Sequence, residues 1–214
     1  MLKEILNKKQ ENHKSSGKFP ISSIGTCLRT KYLELKGEYK KKYSEQLLRL
    51  FEIGNITHRG IFKELIEKGH GKKIEVVGGE VNIRQNKYFS GRIDIIVSDG
   101  KKNYIVDVKS ASEFTMDAVK KGKCEENYKN QVLLYMYFTG IHNGILLFVS
   151  KVNGEVEEVE VKYDEEKAKE LITEIENFFK NYVNKNILPP KCTKKISPFG
   201  CDVCYPKEDK LKSN

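Results

Sequence analysis

Residues 91–110 read Gly91-Arg92-Ile93-Asp94-Ile95-Ile96-Val97-Ser98-Asp99-Gly100-Lys101-Lys102-Asn103-Tyr104-Ile105-Val106-Asp107-Val108-Lys109-Ser110. Two β-branched runs flank an Asp99-Gly100 hairpin signal, which predicts strands over Tyr88 to Ser98 and Asn103 to Lys109. Asp94 lies among Ile93, Ile95 and Ile96, and Asp107 between Val106 and Val108. Side chains alternate along a strand, so Asp107 and Lys109 share one face. Pairing of the strands would bring Asp94 close to both. Carboxylates in an otherwise apolar sheet are costly unless a cation neutralises them. Hard oxygen ligands of this kind suit Mg²⁺ or Mn²⁺. A lysine beside such an ion can hold an attacking water while the ion stabilises charge developing on a phosphate. The plain alternative is that both aspartates end their strands and Lys109 pairs with one of them, since an Asp-x-Lys triplet is common by chance.

Working outward, residues 1 to 12 predict a short helix and Pro20 to Gly37 a second, capped by Ser22 or Ser23 and stopped by Gly37. Leu47, Leu50, Phe51, Ile61, Phe62, Leu65 and Ile66 recur at helical spacing from Ser44 to Lys68, with Gly54 and Gly60 as points where that helix could bend or break. A strand over Lys73 to Arg84 precedes the hairpin. Helices over Glu113 to Lys121 and Glu125 to Thr139 follow it, then a hairpin of Asn143 to Lys151 and Glu155 to Tyr163. Asp164 caps a last helix running to Asn186, beyond which Pro189, Pro190, Pro198 and Pro206 exclude long helices. The expected fold is α/β, an α-β-β-β-α-β mixed sheet flanked by helices. Residues 1–214 are expected to form a single domain, with an N-terminal helical segment over 1–43, a core over 44–186 and a cysteine-bearing tail over 187–214.

Composition narrows the classes. The 214 residues are 38% hydrophobic and 32% charged, too apolar for disorder and too charged for a membrane bundle. The longest apolar runs, Val132 to Phe138 and Ile145 to Val149, are far short of the roughly 20 residues a bilayer span needs. The opening MLKEILNKKQ lacks the apolar stretch of a signal peptide, so a cytoplasmic location and no membrane partner are expected. Lysine plus arginine number 39 against 30 acids, a net charge of +9, which suits a polyanionic partner or reflects only a lysine-rich surface. No GxxxxGK[ST] phosphate loop occurs.

Further residues fall in order around the hairpin. His58 follows Gly54 by one helical turn and is a candidate imidazole ligand, although a lone helical histidine is more often structural. Gln131 and Tyr135, four apart, share a helix face, where they could contact a phosphate or steady Lys109, or simply belong to an amphipathic helix. Together Gly54-x-x-x-His58, Gly91-Arg92-Ile93-Asp94, Asp107-Val108-Lys109 and Gln131-x-x-x-Tyr135 resemble the RecB-like branch of the PD-(D/E)XK nuclease superfamily, in order and across residues 54 to 135. The resemblance implies that His58, Asp94, Asp107 and the Val108 carbonyl bind Mg²⁺ or Mn²⁺. It implies too that Lys109 positions or activates water, and that Gln131 and Tyr135 complete the site against DNA. Asp107 stands where many members carry Glu. Arg92 is a candidate phosphate contact. Its neighbour Gly91 would let a nucleic-acid backbone approach closely. Glu80, on the preceding strand, either faces the same site or is solvated.

Five cysteines occur. Cys201-Asp202-Val203-Cys204 is a Cys-x-x-Cys knuckle, Cys192 precedes it by nine residues, and Cys27 lies near the other end of the chain. Four thiolates can hold zinc or an iron–sulfur cluster, and spacing alone favours zinc. The Ser22 to Leu33 segment resembles the N-terminal cysteine helix of RecB-like nucleases of the CRISPR-associated adaptation and AddB types. That resemblance implies a [4Fe–4S] cluster on Cys27, Cys192, Cys201 and Cys204. In those relatives the close pair precedes the lone cysteine, whereas here Cys192 comes first. Cys124 matches nothing and reads as a free thiol. Lys120, Lys121, Lys123 and Lys129 could guide a nucleic-acid strand by its backbone while Tyr128, Tyr135 and Tyr137 stack on bases, or together they form a solvated charged face over core aromatics.

The activity implied is metal-dependent DNA exonuclease action on single strands or DNA ends, in CRISPR adaptation, phage recombination or repair. A separate helicase or CRISPR adaptation proteins would be its partners. The alternatives are a non-catalytic DNA-binding or assembly subunit and a structure- or site-specific endonuclease on the same fold.

Overall fold

A computed structural model describes residues 16–69, 73–83, 86–193 and 201–206; the helix expected over residues 1 to 12 lies outside them. Strand β1 is Phe19–Pro20, and helices α1 and α2 span Leu28–Lys36 and Glu45–Gly69. Strands β2 (Glu75–Asn82), β3 (Phe89–Ser90), β4 (Arg92–Ser98) and β5 (Asn103–Ala111) follow. Helices α3 (Glu113–Lys120) and α4 (Glu126–Thr139) lead to β6 (Asn143–Ser150), β7 (Val156–Lys162) and helix α5 (Glu165–Phe178). The main sheet has the order β2-β4-β5-β6-β7. Only β5 and β6 run parallel in it, and the crossover between them carries α3 and α4. The expected mixed sheet flanked by helices is what forms.

Local chemistry sets several boundaries. In the β4–β5 turn, Asp99 Oδ1 accepts the N–H groups of Lys101 and Lys102 at 2.8 and 2.7 Å. Ser44 Oγ accepts the Leu47 N–H at 3.2 Å and starts α2. Gly54 and Gly60 do not break this helix, which runs unbroken for 25 residues. Ile61, Phe62 and Leu65 pack it onto the sheet, which outweighs about 1 kcal/mol per glycine. Asp164 caps α5 as expected, accepting the Lys167 N–H at 2.9 Å.

Three expectations need correction. The helix expected from Pro20 begins only at Leu28, with Cys27 rather than Ser22 or Ser23 at its N-cap position. Before it a 3₁₀ turn covers Ile21–Ser23, Thr26 Oγ1 donates to the Ser23 carbonyl at 2.6 Å, and Gly25 turns the chain at φ +77°. The strand expected over Tyr88 to Ser98 is interrupted at Gly91. Its first piece, β3, pairs in parallel with β1 in a separate two-stranded ribbon. Finally, α5 ends at Phe178 and gives way to a π-helical turn over Phe179–Val183.

The sheet separates two apolar layers. On one face Ile95, Val97, Val106, Val108, Leu147 and Val149 pack with Ile61, Phe62 and Leu65 of α2. On the other, Ile105, Leu146 and Phe148 join Val132, Leu133 and Met136 of α4 and Leu171, Ile175 and Phe178 of α5. Alternation along β5 therefore sends Val106 and Val108 towards α2, and Ile105, Asp107 and Lys109 towards α4. No helix among the described residues is long and apolar enough to cross a membrane.

Candidate active site

The β4–β5 ladder ends at the Ile95–Val106 pair. One residue further along β4 a side chain replaces it: Asp94 Oδ2 accepts the Val108 N–H at 2.9 Å. His58, reaching in from α2, places Nδ1 3.4 Å from the same oxygen. Helix α2 lies so close here that a Cβ at Gly54 would sit 3.2 Å from Ser110 Oγ. Sequence motif and geometry agree that Gly54 and His58 belong to one turn facing the strands.

Asp107 is the most buried acid or base among the described residues, with 1% of its surface exposed. Its Oδ1 accepts from Gln131 Nε2 at 2.9 Å. Lys109 Nζ forms an ion pair with Oδ2 at 2.7 Å, and Oδ2 has no further hydrogen-bond partner among the described residues. Burial pushes the Asp107 carboxyl above the usual carboxylate range, against the pull of Lys109. Gln131 also accepts from Lys109 Nζ at 3.0 Å through Oε1, so one amide ties the acid to the lysine. Tyr135, pushed up to about 12 by burial, accepts from Gln131 Nε2 at 3.3 Å and donates to the Arg92 carbonyl at 3.0 Å. Gln131 and Tyr135 are both buried, with their polar atoms turned to these partners.

Gly91 has a packing role in this arrangement. A Cβ there would lie 2.9 Å from both Ile21 Cδ1 and Tyr135 Cε1, so the missing side chain makes room for a protein ring. Arg92 stands apart from Lys109. Its guanidinium pairs with Glu80 at 3.3 Å on the outer strand, and both line a cleft of about 560 Å³ with Asn55, His58 and Asp94. Glu80 is thus exposed and still faces the Asp94 cleft. Lys109 opens on the other side of His58 into a hollow of about 200 Å³ lined by Thr115, Tyr128 and Phe148. Its ammonium lies 4.7 Å from the Tyr128 ring centroid, a cation–π contact that spacing did not single out. Of the basic cluster, Lys120 is paired with Glu155 at 2.6 Å. Tyr137 packs edge-on to Phe138.

At the opposite end of the chain order, α1 and the tail meet. Cys27, Cys192, Cys201 and Cys204 bring their sulfurs within 4.8 Å of one another, and Cys27 Sγ lies 3.5 Å from Cys204 Sγ. They are the one such group of His, Cys, Asp or Glu side chains among the described residues; His58, Asp94 and Asp107 do not converge as closely. Burial raises the Cys201 thiol, but the Thr30 hydroxyl and the N–H groups of Cys204 and Val203 bring it down to about 7. Thr30 Oγ1 is 3.5 Å from that sulfur, a partner that cysteine spacing could not reveal. Soft thiolates gathered this way fit a zinc ion or an iron–sulfur cluster. Cys124 lies outside the group and is not disulfide-bonded.

The sequence matches the PD-(D/E)XK nuclease superfamily over residues 27–207, and the chain belongs to that superfamily. Its members use divalent metal ions. Solved structures share the fold. The alkaline exonuclease LHK-Exo from Laribacter hongkongensis, in complex with dAMP, superposes with a TM-score of 0.60 at 16% identity, over 79% of this chain and 89% of that one. A phage-related exonuclease from Haemophilus somnus 129PT gives 0.55 at 14% identity, over 79% and 96%. The protein SSO0001 gives 0.53 at 18% identity, over 85% and 84%. Among curated proteins none matches by sequence.

Proposed function

We propose that the chain is a Mg²⁺- or Mn²⁺-dependent DNA exonuclease acting on single strands or DNA ends, working as one domain with its N-terminal segment and tail clasped by metal. The observation that carries this reading is the buried Asp107 carboxylate, held between Lys109 and Gln131 at the point where Asp94 interrupts the ladder. His58, Asp94, Asp107 and the Val108 carbonyl would hold the metal. When bound, it would supply the Lewis acidity that stabilises charge on the scissile phosphate.

The protein's own part is positioning. Gln131 fixes the Asp107 carboxylate and keeps the Lys109 ammonium beside it. With two of its donor directions turned to Gln131 and Asp107, Lys109 has a third N–H for a water or phosphate oxygen in the hollow. Tyr135 holds Gln131 from behind and anchors the Arg92 carbonyl, which fixes β4 where Asp94 leaves it. Arg92, on the cleft wall, would contact a phosphate once released from Glu80. The exonucleases among the structural neighbours support the same direction of reading.

For the cysteines we propose a [4Fe–4S] cluster on Cys27, Cys192, Cys201 and Cys204, on the resemblance to iron–sulfur RecB-like nucleases. A zinc ion is the second reading. Four Zn–S bonds of about 2.3 Å place sulfurs about 3.8 Å apart, and the sulfurs here lie within 4.8 Å of one another. Purification without oxygen, a visible spectrum and metal analysis decide between them: broad absorption near 400 nm with iron supports the cluster, and a colourless zinc protein overturns it. The setting we propose is CRISPR adaptation, phage recombination or repair, with a separate helicase or adaptation proteins as partners.

The nuclease reading is tested by digesting end-labelled single- and double-stranded DNA with wild type and Lys109→Ala, in Mg²⁺, Mn²⁺ or EDTA. Metal-dependent digestion lost in the variant supports it. Equal digestion by both proteins refutes the role given to Lys109. If neither protein cuts while both bind DNA, the chain is a binding subunit.

A further inference from the structure

The hollow beside Lys109 continues past Tyr128. Thr115, Tyr128 and Phe148 line both it and a second groove of about 430 Å³ between α3 and the start of α4. The walls of this groove include apolar Ala118, Val119 and Phe148. Phe114 also lines it and is 85% exposed, the most open of the large hydrophobic side chains described. Helix α3 buries Met116 and Val119; Phe114, two residues before Met116, falls off that face and contributes nothing to the core. Lys123 and Lys129 line the same groove, with Glu125 the single acid among the lining residues. Lys120 is held by Glu155, whereas no carboxylate pairs with Lys123 or Lys129 among the described residues.

An open aromatic face, an apolar wall and unpaired cations together suit a planar base joined to a phosphate. In a duplex the bases are stacked on one another and offer no free face, so the fitting ligand is a single strand. We propose that this groove binds the base of the nucleotide next to the one held at Lys109, stacked on Phe114, with Lys123 and Lys129 on the adjoining phosphates. The groove would then make single-stranded DNA the preferred substrate. This inference rests on the nuclease reading above and deepens it.

The test is anisotropy of fluorescein-labelled oligothymidylate binding, with Ca²⁺ replacing Mg²⁺, to wild type, Phe114→Ala, Phe114→Trp and Lys123→Gln. Phe114 is exposed, so the melting temperature of Phe114→Ala should equal that of wild type and confirm that it folds. Phe114→Ala should weaken single-strand binding roughly tenfold, the loss of one base–aromatic stack, while Phe114→Trp retains it and duplex affinity stays unchanged. A 2-aminopurine oligonucleotide should be quenched by wild type and not by Phe114→Ala. Lys123→Gln should lower the slope of log affinity on log salt by about 0.7, the value for one single-strand phosphate. If wild type digests DNA and Phe114→Ala binds single strands as tightly as it does, the groove is overturned and the nuclease reading stands. If wild type neither binds nor digests DNA, both fall.

Discussion

Gln131 is the side chain on which the proposed site turns, and replacing it with leucine gives a sharp test. Its amide makes two hydrogen bonds to charged groups, to Asp107 Oδ1 at 2.9 Å and from Lys109 Nζ at 3.0 Å. Bonds to charged groups contribute about 1.5–3 kcal/mol each, and their loss here leaves a buried carboxylate oxygen unpaired. The extra apolar area of leucine returns about 1 kcal/mol, so a net loss of about 3 kcal/mol is expected. At this chain length that lowers the melting temperature by about 6–12 °C. Thermal unfolding in EDTA measures it directly. Isothermal titration with Mn²⁺ should show affinity reduced about 10- to 100-fold, the usual consequence of removing a group that orients a metal ligand. Digestion of labelled DNA should fall with it. A variant that melts and binds Mn²⁺ like wild type would refute the argument that this amide organises Asp107 and Lys109.

Other outcomes follow from the same geometry. Asp107→Asn removes a buried charge, so at neutral pH in EDTA it should melt no lower than wild type while losing DNA digestion. Divalent metal at about 100 times its Kd should stabilise wild type by about 2.7 kcal/mol, or about 5–11 °C, and leave this variant unmoved. Gly91→Ala forces a methyl group to 2.9 Å from Ile21 and Tyr135. That overpacking costs about 1–3 kcal/mol, a fall of about 2–12 °C by calorimetry; an unchanged melting temperature would refute the packing role of the glycine. Cys204→Ser should abolish stoichiometric metal in the purified protein and lower its melting temperature.

Much of this was legible in the sequence because alternation is unforgiving in strands. Asp107 and Lys109 share a face by period two alone, and the Asp99-Gly100 turn fixes which strands pair. The four cysteines could be grouped by chemical type, with spacing favouring zinc and the family resemblance favouring an iron–sulfur cluster. Propensity failed where tertiary contacts decide. Nothing local separates the 3₁₀ turn at Ile21 from a helical first turn, and the β1–β3 pairing that splits the long strand at Gly91 joins residues some 70 positions apart. The role of Gln131 was open for the same reason. A glutamine on an amphipathic helix can face a ligand or a buried acid, and only the sheet register shows that its amide meets Asp107.

The placement of the site follows from the two faces of the sheet. Along β5, Val106 and Val108 belong to the α2 layer and Asp107 and Lys109 to the α4 layer. A side chain on α2 therefore has no route to Asp107 through a closed ladder. The route exists because β4 and β5 part beyond Ile95, where Asp94 accepts the Val108 N–H in place of a strand partner and meets His58 with the same oxygen. Extending the ladder by one pair would bury Asp94 against backbone and cut His58 off from the acids. The spread of the motif residues over Gly54, Asp94, Asp107 and Gln131 is thus the signature of one fork in the sheet, approached by a helix from each side.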